Sequence, residues 1–454
     1  MDSTLSRRRF FSSIGAAAMG MPFAQALGGC ARESRRSEVP NVVMLIMDTL
    51  RPDVLGCYGF SERTSPELDS VAAQGALFEH VIAPSSWTPT SIGGLLSSRH
   101  PRTLGLYTKH NYFADIYARL PHLLRDHGYR TVGITANPMI DACAGFAHGF
   151  DQYIDAVVSY EGGVRRLESC DRIFHKALQL VDEQSTEPVF LQINIMEMHD
   201  YCLEEGKLTR PEFLGEFKHV PNTANRRDYL QAMRQVSVDA AQFIHTLAKR
   251  PRWDNTLFVL LSDHGDGLTD HPNVWRSTRH QTLLYESVVR VPLIFYCPAG
   301  GVGAVRVKRP VRLLDVMPTI LDYVGAPVPD SLEGTTLLSA VRGDALEASL
   351  PNFFISETFG GGRDKSAVYS GEWMYVENRD FQAGCNELEL QRIGMAANGK
   401  RTDQIKEHPA IAREMRDLLT QWQEEHPKAK GVFPGDAVTA DPDRDAKMRA
   451  LGYL

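Results

Sequence analysis

The stretch NVVMLIMD at residues 41–48 joins a short, uniformly apolar run to an aspartate at its end. Runs of this length that are apolar throughout predict strands buried on both faces of a parallel sheet. Four more such runs follow along the chain, at residues 131–135, 189–195, 257–261 and 291–296. Amphipathic stretches that predict helices lie between them, at residues 66–78, 120–127, 167–183 and 228–249. This alternation predicts an α/β fold, with a doubly wound, mostly parallel sheet sandwiched by helices.

Side chains that can bind a metal follow several of these predicted strands. Asp48 directly follows the first, His199 lies a few residues after the third, and Asp263 and His264 follow the fourth. The carboxyl ends of the strands in such a sheet form one crevice, so we expect these four side chains to converge there. Carboxylate and imidazole ligands suit a hard or borderline divalent ion. A helix-capping role is the alternative for Asp48.

A threonine near a predicted helix start is the candidate nucleophile. The segment SSWTPTSIGGLLSSRHP spans residues 85–101, and its pattern predicts a helix from about Thr90. The hydroxyl of Thr88 would then lie near the helix N-terminus, whose partial positive charge stabilises an alkoxide or an incoming anion. Simple capping of the helix by Thr88 is the alternative.

The bulk properties are those of a globular protein with one large or two medium domains. The chain has 454 residues, 43% hydrophobic and 23% charged, and a net charge of −7. This charge argues against a general nucleic-acid binder, which needs a basic face. The Gly-rich stretch at residues 360–362 and a changed composition after about residue 350 predict a larger domain at 40–350 and a smaller α+β C-terminal subdomain at 351–454.

The first thirty residues resemble an export signal. Ser6 and the arginines Arg7 and Arg8 precede a short apolar run, as in a twin-arginine (Tat) signal, and the run ends at Cys30 as in a bacterial lipobox. We therefore expect passage through the Tat translocon, a location in the periplasm or cell envelope, and a possible lipid anchor at Cys30, with residues 31–39 as a linker. The six remaining cysteines permit disulfides but equally suit free thiols: Cys57, Cys143, Cys170, Cys202, Cys297 and Cys385.

Several segments together resemble the sulfatase-like branch of the alkaline phosphatase superfamily. Residues 41–59 (NVVMLIMDTLRPDVLGCYG) resemble the start of a sulfatase, and residues 86–101 resemble its nucleophile segment. Further matching segments are GFDQYID at 149–155, MEMHDY at 196–201, LSDHGD at 261–266, HQTLLYESVVRVPLIF at 280–295, LLDVMPTILDYVGAP at 313–327 and MRALGYL at 448–454. The resemblance runs from about residue 40 to the end and is weakest between 350 and 445.

This resemblance implies roles for seven residues. Asp48, Thr88, Asp263 and His264 would form the shell of one divalent metal, with Thr88 also the nucleophile. His199 and His280 would contact the transferred group or the leaving group. Glu197, His199 and His280 could hold a second ion, although a strand-end hydrogen bond is the alternative for Glu197. Calcium, zinc, manganese and magnesium are not distinguished.

The sequence also departs from the family pattern. Most sulfatases carry a cysteine that becomes formylglycine, and Thr88 replaces it here; Ile92 replaces the arginine that follows. Asp48-Thr49 stands where two aspartates are common, and residues 133–137 lack the expected lysine.

The predicted reaction is metal-dependent cleavage of a sulfate or phosphate ester, borne on a small molecule, glycan or lipid, through a covalent Thr88 intermediate. The alternatives are phosphoryl transfer like that of phosphodiesterases or phosphoethanolamine transferases, whose nucleophile is also threonine, and a catalytically silent lipoprotein that binds anions.

Overall fold

The predicted strands form the centre of a nine-stranded sheet in the computed structural model, which describes residues 39–107, 111–156, 168–181, 186–199, 209–213, 216–220, 226–268, 280, 282–346, 350–359, 364–378, 386–394 and 403–430. The strands are β1 (Asn41–Met47), β2 (Ala76–Ile82), β3 (Arg130–Thr135), β4 (Gln152–Asp155), β5 (Val189–Ile195), β6 (Thr256–Leu261), β7 (Arg290–Tyr296), β8 (Val305–Val307) and β9 (Val311–Arg312). Their order is β4-β3-β5-β1-β6-β7-β2-β8, and β9 also pairs with β2.

Ten α-helices accompany the strands in the described part of the chain. They are α1 (Pro66–Ala72), α2 (Thr88–Ser97), α3 (Pro101–Leu104), α4 (Leu120–Asp126), α5 (Cys170–Leu180), α6 (Arg226–Ala248), α7 (Glu286–Val289), α8 (Val316–Tyr323), α9 (Leu338–Val341) and α10 (Pro409–Glu425). Short 3-10 turns occur at Pro52–Val54, Gly56–Tyr58, Pro138–Ile140, Ala142–Ala144, Pro211–Phe213 and Leu313–Asp315. None of the described helices is long and apolar enough to cross a membrane.

Alternating side chains of the central strands build two apolar layers. Val43 and Leu45 of β1 pack with α1, α5 and α6, which we call the back layer. Val42, Met44 and Ile46 pack with α2, α4 and α8, which we call the front layer. Because side chains on a strand alternate with a period of two, a residue that continues the even positions of β1 faces the front layer. The predicted sandwich of helices around a mostly parallel sheet is confirmed.

The direction of one strand was predicted wrongly. The run at 291–296 was assigned to the parallel set, but β7 is antiparallel to both β6 and β2. The pairing of Leu261 with Leu293 shows that β7 begins at the edge where β6 ends. A parallel neighbour would need a crossover to the opposite edge, and an apolar run does not encode that choice.

One predicted helix contains the start of a strand. The stretch 66–78 was predicted as a single helix, yet α1 ends at Ala72 and β2 begins at Ala76. Gly75 lies between them, so close to β7 that a Cβ there would be 2.2 Å from the Phe295 carbonyl oxygen. Pairing with β7 decides the conformation of a segment whose apolar residues fit either period.

A smaller antiparallel sheet forms the described part of the C-terminal subdomain. Its strands are β10 (Phe353–Thr358), β11 (Lys365–Ser370), β12 (Trp373–Asn378) and β13 (Leu388–Arg392), paired in that order. One face packs on α10, through Met415, Leu419 and Trp422, and the other on the α7 region.

Several predicted features lie outside the described residues: the signal at 1–30, most of the linker, the glycines at 360–362, the ending at 448–454, Cys202 and Cys385. The four described cysteines that follow residue 39 are free thiols: Cys57, Cys143, Cys170 and Cys297.

Candidate metal and nucleophile site

Two adjacent central strands bring three metal-binding side chains together. Asp48 follows β1, and Asp263 and His264 follow β6, which pairs with β1 in parallel. One ligand atom from each residue lies within 4.8 Å of the other two, and all three side chains are completely buried. Of the described residues that could bind a metal in a group of three or more, these form the one such group. The expected convergence at the carboxyl edge of the sheet therefore holds for this trio.

The electrostatics of this trio fit a cation. Asp48 Oδ1 and Asp263 Oδ2 have no hydrogen-bond partner among the described residues. The pKa of Asp48 is raised from 3.8 to about 6, first by burial and then by the Asp263 carboxylate, while His199, His264 and Asn137 oppose the rise. Buried carboxylates with free oxygens are costly unless a cation or a donor meets them, and oxygen and imidazole ligands suit a divalent ion.

The backbone after Asp48 is held in a strained conformation that orients Asp263. Thr49 has a φ of +61°, in the left-handed region that β-branched residues avoid. Its amide and that of His264 donate to Asp263 Oδ1 over 3.3 and 2.9 Å, and its carbonyl accepts from the Tyr229 hydroxyl. Because two amides hold Oδ1 of Asp263, its Oδ2 faces the other two members of the trio.

Thr88 lies inside the first turn of α2, two residues before the predicted helix start near Thr90. The N-cap position is Trp87, and Thr88 makes no capping bond. Its Oγ1 instead lies 3.1 Å from His264 Nε2 and 3.5 Å from Asn137 Nδ2. The capping alternative for Thr88 is therefore wrong, and its hydroxyl borders the candidate metal site at a helix N-terminus.

The tautomer of His264 is fixed by its other nitrogen. Nδ1 lies 3.0 Å from the Gly265 carbonyl oxygen and therefore carries the proton that it donates there. Nε2, 3.3 Å from Asp263 Oδ2, is then the ring nitrogen available to bind a metal. The Ser91 hydroxyl also donates to the Asp263 carbonyl over 2.7 Å, which ties α2 to this loop.

Two further histidines border the trio. The ring of His280 stacks on that of His264 with a centroid distance of 4.5 Å, and His199 contacts His280 at 5.0 Å. The structure thus brings His280 next to His264, the partner of Thr88, and places His199 beyond it.

Glu197 points elsewhere, against the hypothesis that it joins His199 and His280 around a second ion. One of its carboxylate oxygens accepts a hydrogen bond from the Cys170 amide at the start of α5. Cys170 belongs to the back layer, on the other side of the sheet from α2. The alternative reading, a strand-end hydrogen bond, is the one that the structure shows.

Asn137 is a member of the site that the sequence argument missed. It follows β3, in the stretch noted above for its lack of lysine, and its Nδ2 donates to Asp48 Oδ2 over 2.7 Å. Its position after a strand was the available signal, but an amide is not a typical metal ligand.

Comparisons with known proteins identify the family of this chain. The Sulfatase family model matches residues 40–326. The chain is 23% identical to a delta 4,5-hexuronate-2-O-sulfatase of Bacteroides thetaiotaomicron (91% of this chain, 94% of the relative) and 25% identical to an N-acetylgalactosamine-6-sulfatase of Canis lupus familiaris (68% and 67%).

Solved structures share the fold. A 2-O GAG sulfatase is similar with a TM-score of 0.68 at 19% identity, covering 88% of this chain and 96% of the other. A phosphonate monoester hydrolase from Silicibacter pomeroyi has a TM-score of 0.66 at 16% identity, covering 86% and 96%. Because the family model covers more than half of the 454 residues, the chain belongs to the sulfatase family of metal-dependent hydrolases.

Proposed function

We propose that this hydrolase cleaves a sulfate or phosphate ester through a covalent bond to Thr88. One observation carries the proposal: two buried carboxylates each have an oxygen without a hydrogen-bond partner among the described residues, and Thr88 Oγ1 touches the histidine beside them. The residues that would hold a divalent ion are Asp48, Asp263 and His264, with Thr88 completing the shell.

The nucleophile and its surroundings account for the first half of the reaction. A divalent ion bound here would act as a Lewis acid that lowers the pKa of the Thr88 hydroxyl and polarises the ester. Thr88 Oγ1, having released its proton to solvent, attacks the sulfur or phosphorus atom, and the bond from that atom to the leaving oxygen breaks. The N-terminus of α2 stabilises negative charge at this point. His280 or His199 gives the leaving oxygen its proton.

The second half differs from that of a formylglycine sulfatase. A formylglycine hydrate can release sulfate by collapsing to an aldehyde, but a threonine ester must be opened by water at sulfur or phosphorus. His280 or His199, having lost its proton, takes one from that water. Ile92, which replaces the family's arginine, is fully buried among front-layer side chains and supplies no charge. We therefore propose that phosphodiesters or phosphonate esters are cleaved at least as well as aryl sulfates.

One purified sample can test the reaction and the preference together. We would measure turnover of an aryl sulfate, a phosphate monoester, a phosphodiester and a phosphonate ester, with added divalent ions. Thr88→Ala is the control, because it removes the attacking oxygen alone. A large preference for aryl sulfates would contradict the argument about the second step. No turnover, together with no metal binding, would favour the silent anion-binding protein.

We further propose export through the Tat translocon and a lipid anchor at Cys30. The support is the paired Arg7 and Arg8 ahead of the apolar run that ends at Cys30. A substrate in the cell envelope would suit this location, and the curated sulfatases similar to the chain are named for sugar substrates.

A further inference from the structure

The side chain of Asn137 connects the two halves of the proposed active site. It is completely buried. Its Nδ2 lies 2.7 Å from Asp48 Oδ2 and 3.5 Å from Thr88 Oγ1. A single amide nitrogen therefore contacts both a proposed metal ligand and the proposed nucleophile, which come from different segments of the chain.

Local structure fixes the orientation of this amide. Asn137 Oδ1 accepts from the Met139 amide over 2.8 Å and so caps the 3-10 turn Pro138–Ile140. The Asn137 backbone amide donates to Thr135 Oγ1 over 3.1 Å. Because Oδ1 must face a donor, both Nδ2 hydrogens point away from the turn and towards Asp48 and Thr88.

The packing around Asn137 supports the same arrangement. Met139, which anchors Asn137 Oδ1, packs against Trp87 in a small buried apolar cluster. Trp87 directly precedes Thr88 and is the N-cap residue of α2. The turn that carries Asn137 and the helix that carries Thr88 are thus held in contact by a pair of side chains outside the polar site.

We propose that Asn137 is a positioning residue for the reaction, an inference that rests on the proposed function. Its amide occupies Asp48 Oδ2, which leaves Asp48 Oδ1 directed to the ion, and it restrains Thr88 Oγ1 beside His264. Partners that orient a metal ligand in this way typically change metal affinity by about 10- to 100-fold when they are removed. A neutral amide performs this task in a stretch where the family resemblance leads one to expect lysine.

Two matched substitutions separate positioning from capping. Serine at residue 137 can still cap the turn, because it is a good N-cap residue, but it is too short to reach Asp48. The control is Asn41→Ser, at the end of β1 opposite to Asp48. Asn41 is equally buried, and its amide is also occupied on both sides, by the Arg252 carbonyl and the Val189 amide, each at 2.9 Å.

The decisive measurement is calorimetric titration of Mn²⁺, and in parallel Zn²⁺, into the chelator-stripped full chain, together with thermal unfolding. We expect Asn137→Ser to weaken ion affinity by about 10- to 100-fold, and Asn41→Ser to lower thermal stability with ion affinity unchanged. Equal ion affinity of wild type and Asn137→Ser would overturn the inference and leave the proposed function standing. A wild type that binds neither ion would overturn both.

Discussion

Metal-free protein should lose stability as the pH rises, because Asp48 is buried next to Asp263. The pKa of the Asp48 carboxyl is about 6 in the folded chain against an ordinary value of 3.8. Below the lower value the carboxyl is protonated in both states. As the pH rises from 3.8 to about 6, the Asp48 carboxyl loses its proton in the unfolded chain before it does so in the folded chain, and the folded state is therefore progressively disfavoured. The difference corresponds to about 3 kcal/mol of unfolding free energy, fully lost above about pH 6.

Chemical denaturation with chelator present, from about pH 4 to about pH 7, measures this loss. Other buried carboxyls with raised pKa values, such as Glu197 and Glu357, contribute in the same direction. The informative quantity is therefore the difference in the pH dependence of unfolding free energy between wild type and Asp48→Asn, whose amide cannot ionise. Asp315→Asn is the control, since Asp315 is as deeply buried but is paired with Arg312 over 2.7 Å.

Added divalent ion should reverse this loss of stability in wild type and in Asp315→Asn, which both keep Asp48. An ion at 100 times its dissociation constant stabilises the folded state by about 2.7 kcal/mol, which offsets most of the loss above pH 6. Asp48→Asn should gain far less from the ion and show a flatter pH profile in chelator. Parallel pH profiles for wild type and Asp48→Asn, with no response of either to metal, would refute the reasoning about this carboxylate pair.

Three further predictions concern the nucleophile, the ligand and export. Thr88→Ala should abolish turnover while lowering unfolding free energy by only about 1 kcal/mol, for one lost hydrogen bond, and Thr88→Ser should keep part of the activity; full activity of the alanine variant would exclude a covalent role. His264→Ala should lose the bound divalent ion, measured by elemental analysis, and retention of the ion would assign it to other ligands. Arg7→Lys with Arg8→Lys should hold the protein in the cytoplasm on cell fractionation, and Cys30→Ala should release it from membranes; normal export or continued attachment would contradict the respective proposal.

Much of the site could be predicted because it depends on a simple rule of parallel sheets. Asp48, Asp263 and His264 each follow an apolar run, and neighbouring strands carry them to one edge. The alternation of side chains along a strand also predicts the face of the sheet on which a residue lies. The even positions of β1 lead to Asp48 on the front face, where α2 carries Thr88. β5 ends at Ile195, so the alternation does not extend to Glu197 or His199.

What the sequence left open depends on contacts between distant segments. The end of α1 follows from the pairing of β2 with β7, which lies more than 200 residues further along the chain, so no local window contains it. The direction of β7 follows from its pairing with both β6 and β2. Asn137 was missed for a chemical reason. It acts through donated hydrogen bonds to Asp48 and Thr88, and such a role is visible only when the distances are known.

The left-handed conformation of Thr49 offers room for protein engineering. A non-glycine residue in this region typically costs about 1–3 kcal/mol. The site uses the amide of this residue, which donates to Asp263, and its carbonyl, which accepts from Tyr229; the Thr49 hydroxyl also donates to the Asp48 carbonyl over 2.7 Å. Asparagine or glycine adopts the same backbone shape with less strain and keeps both main-chain groups, but loses the hydroxyl. The expected gain is the strain removed less that hydrogen bond, worth about 1 kcal/mol, so position 49 is where a more heat-resistant variant could be sought.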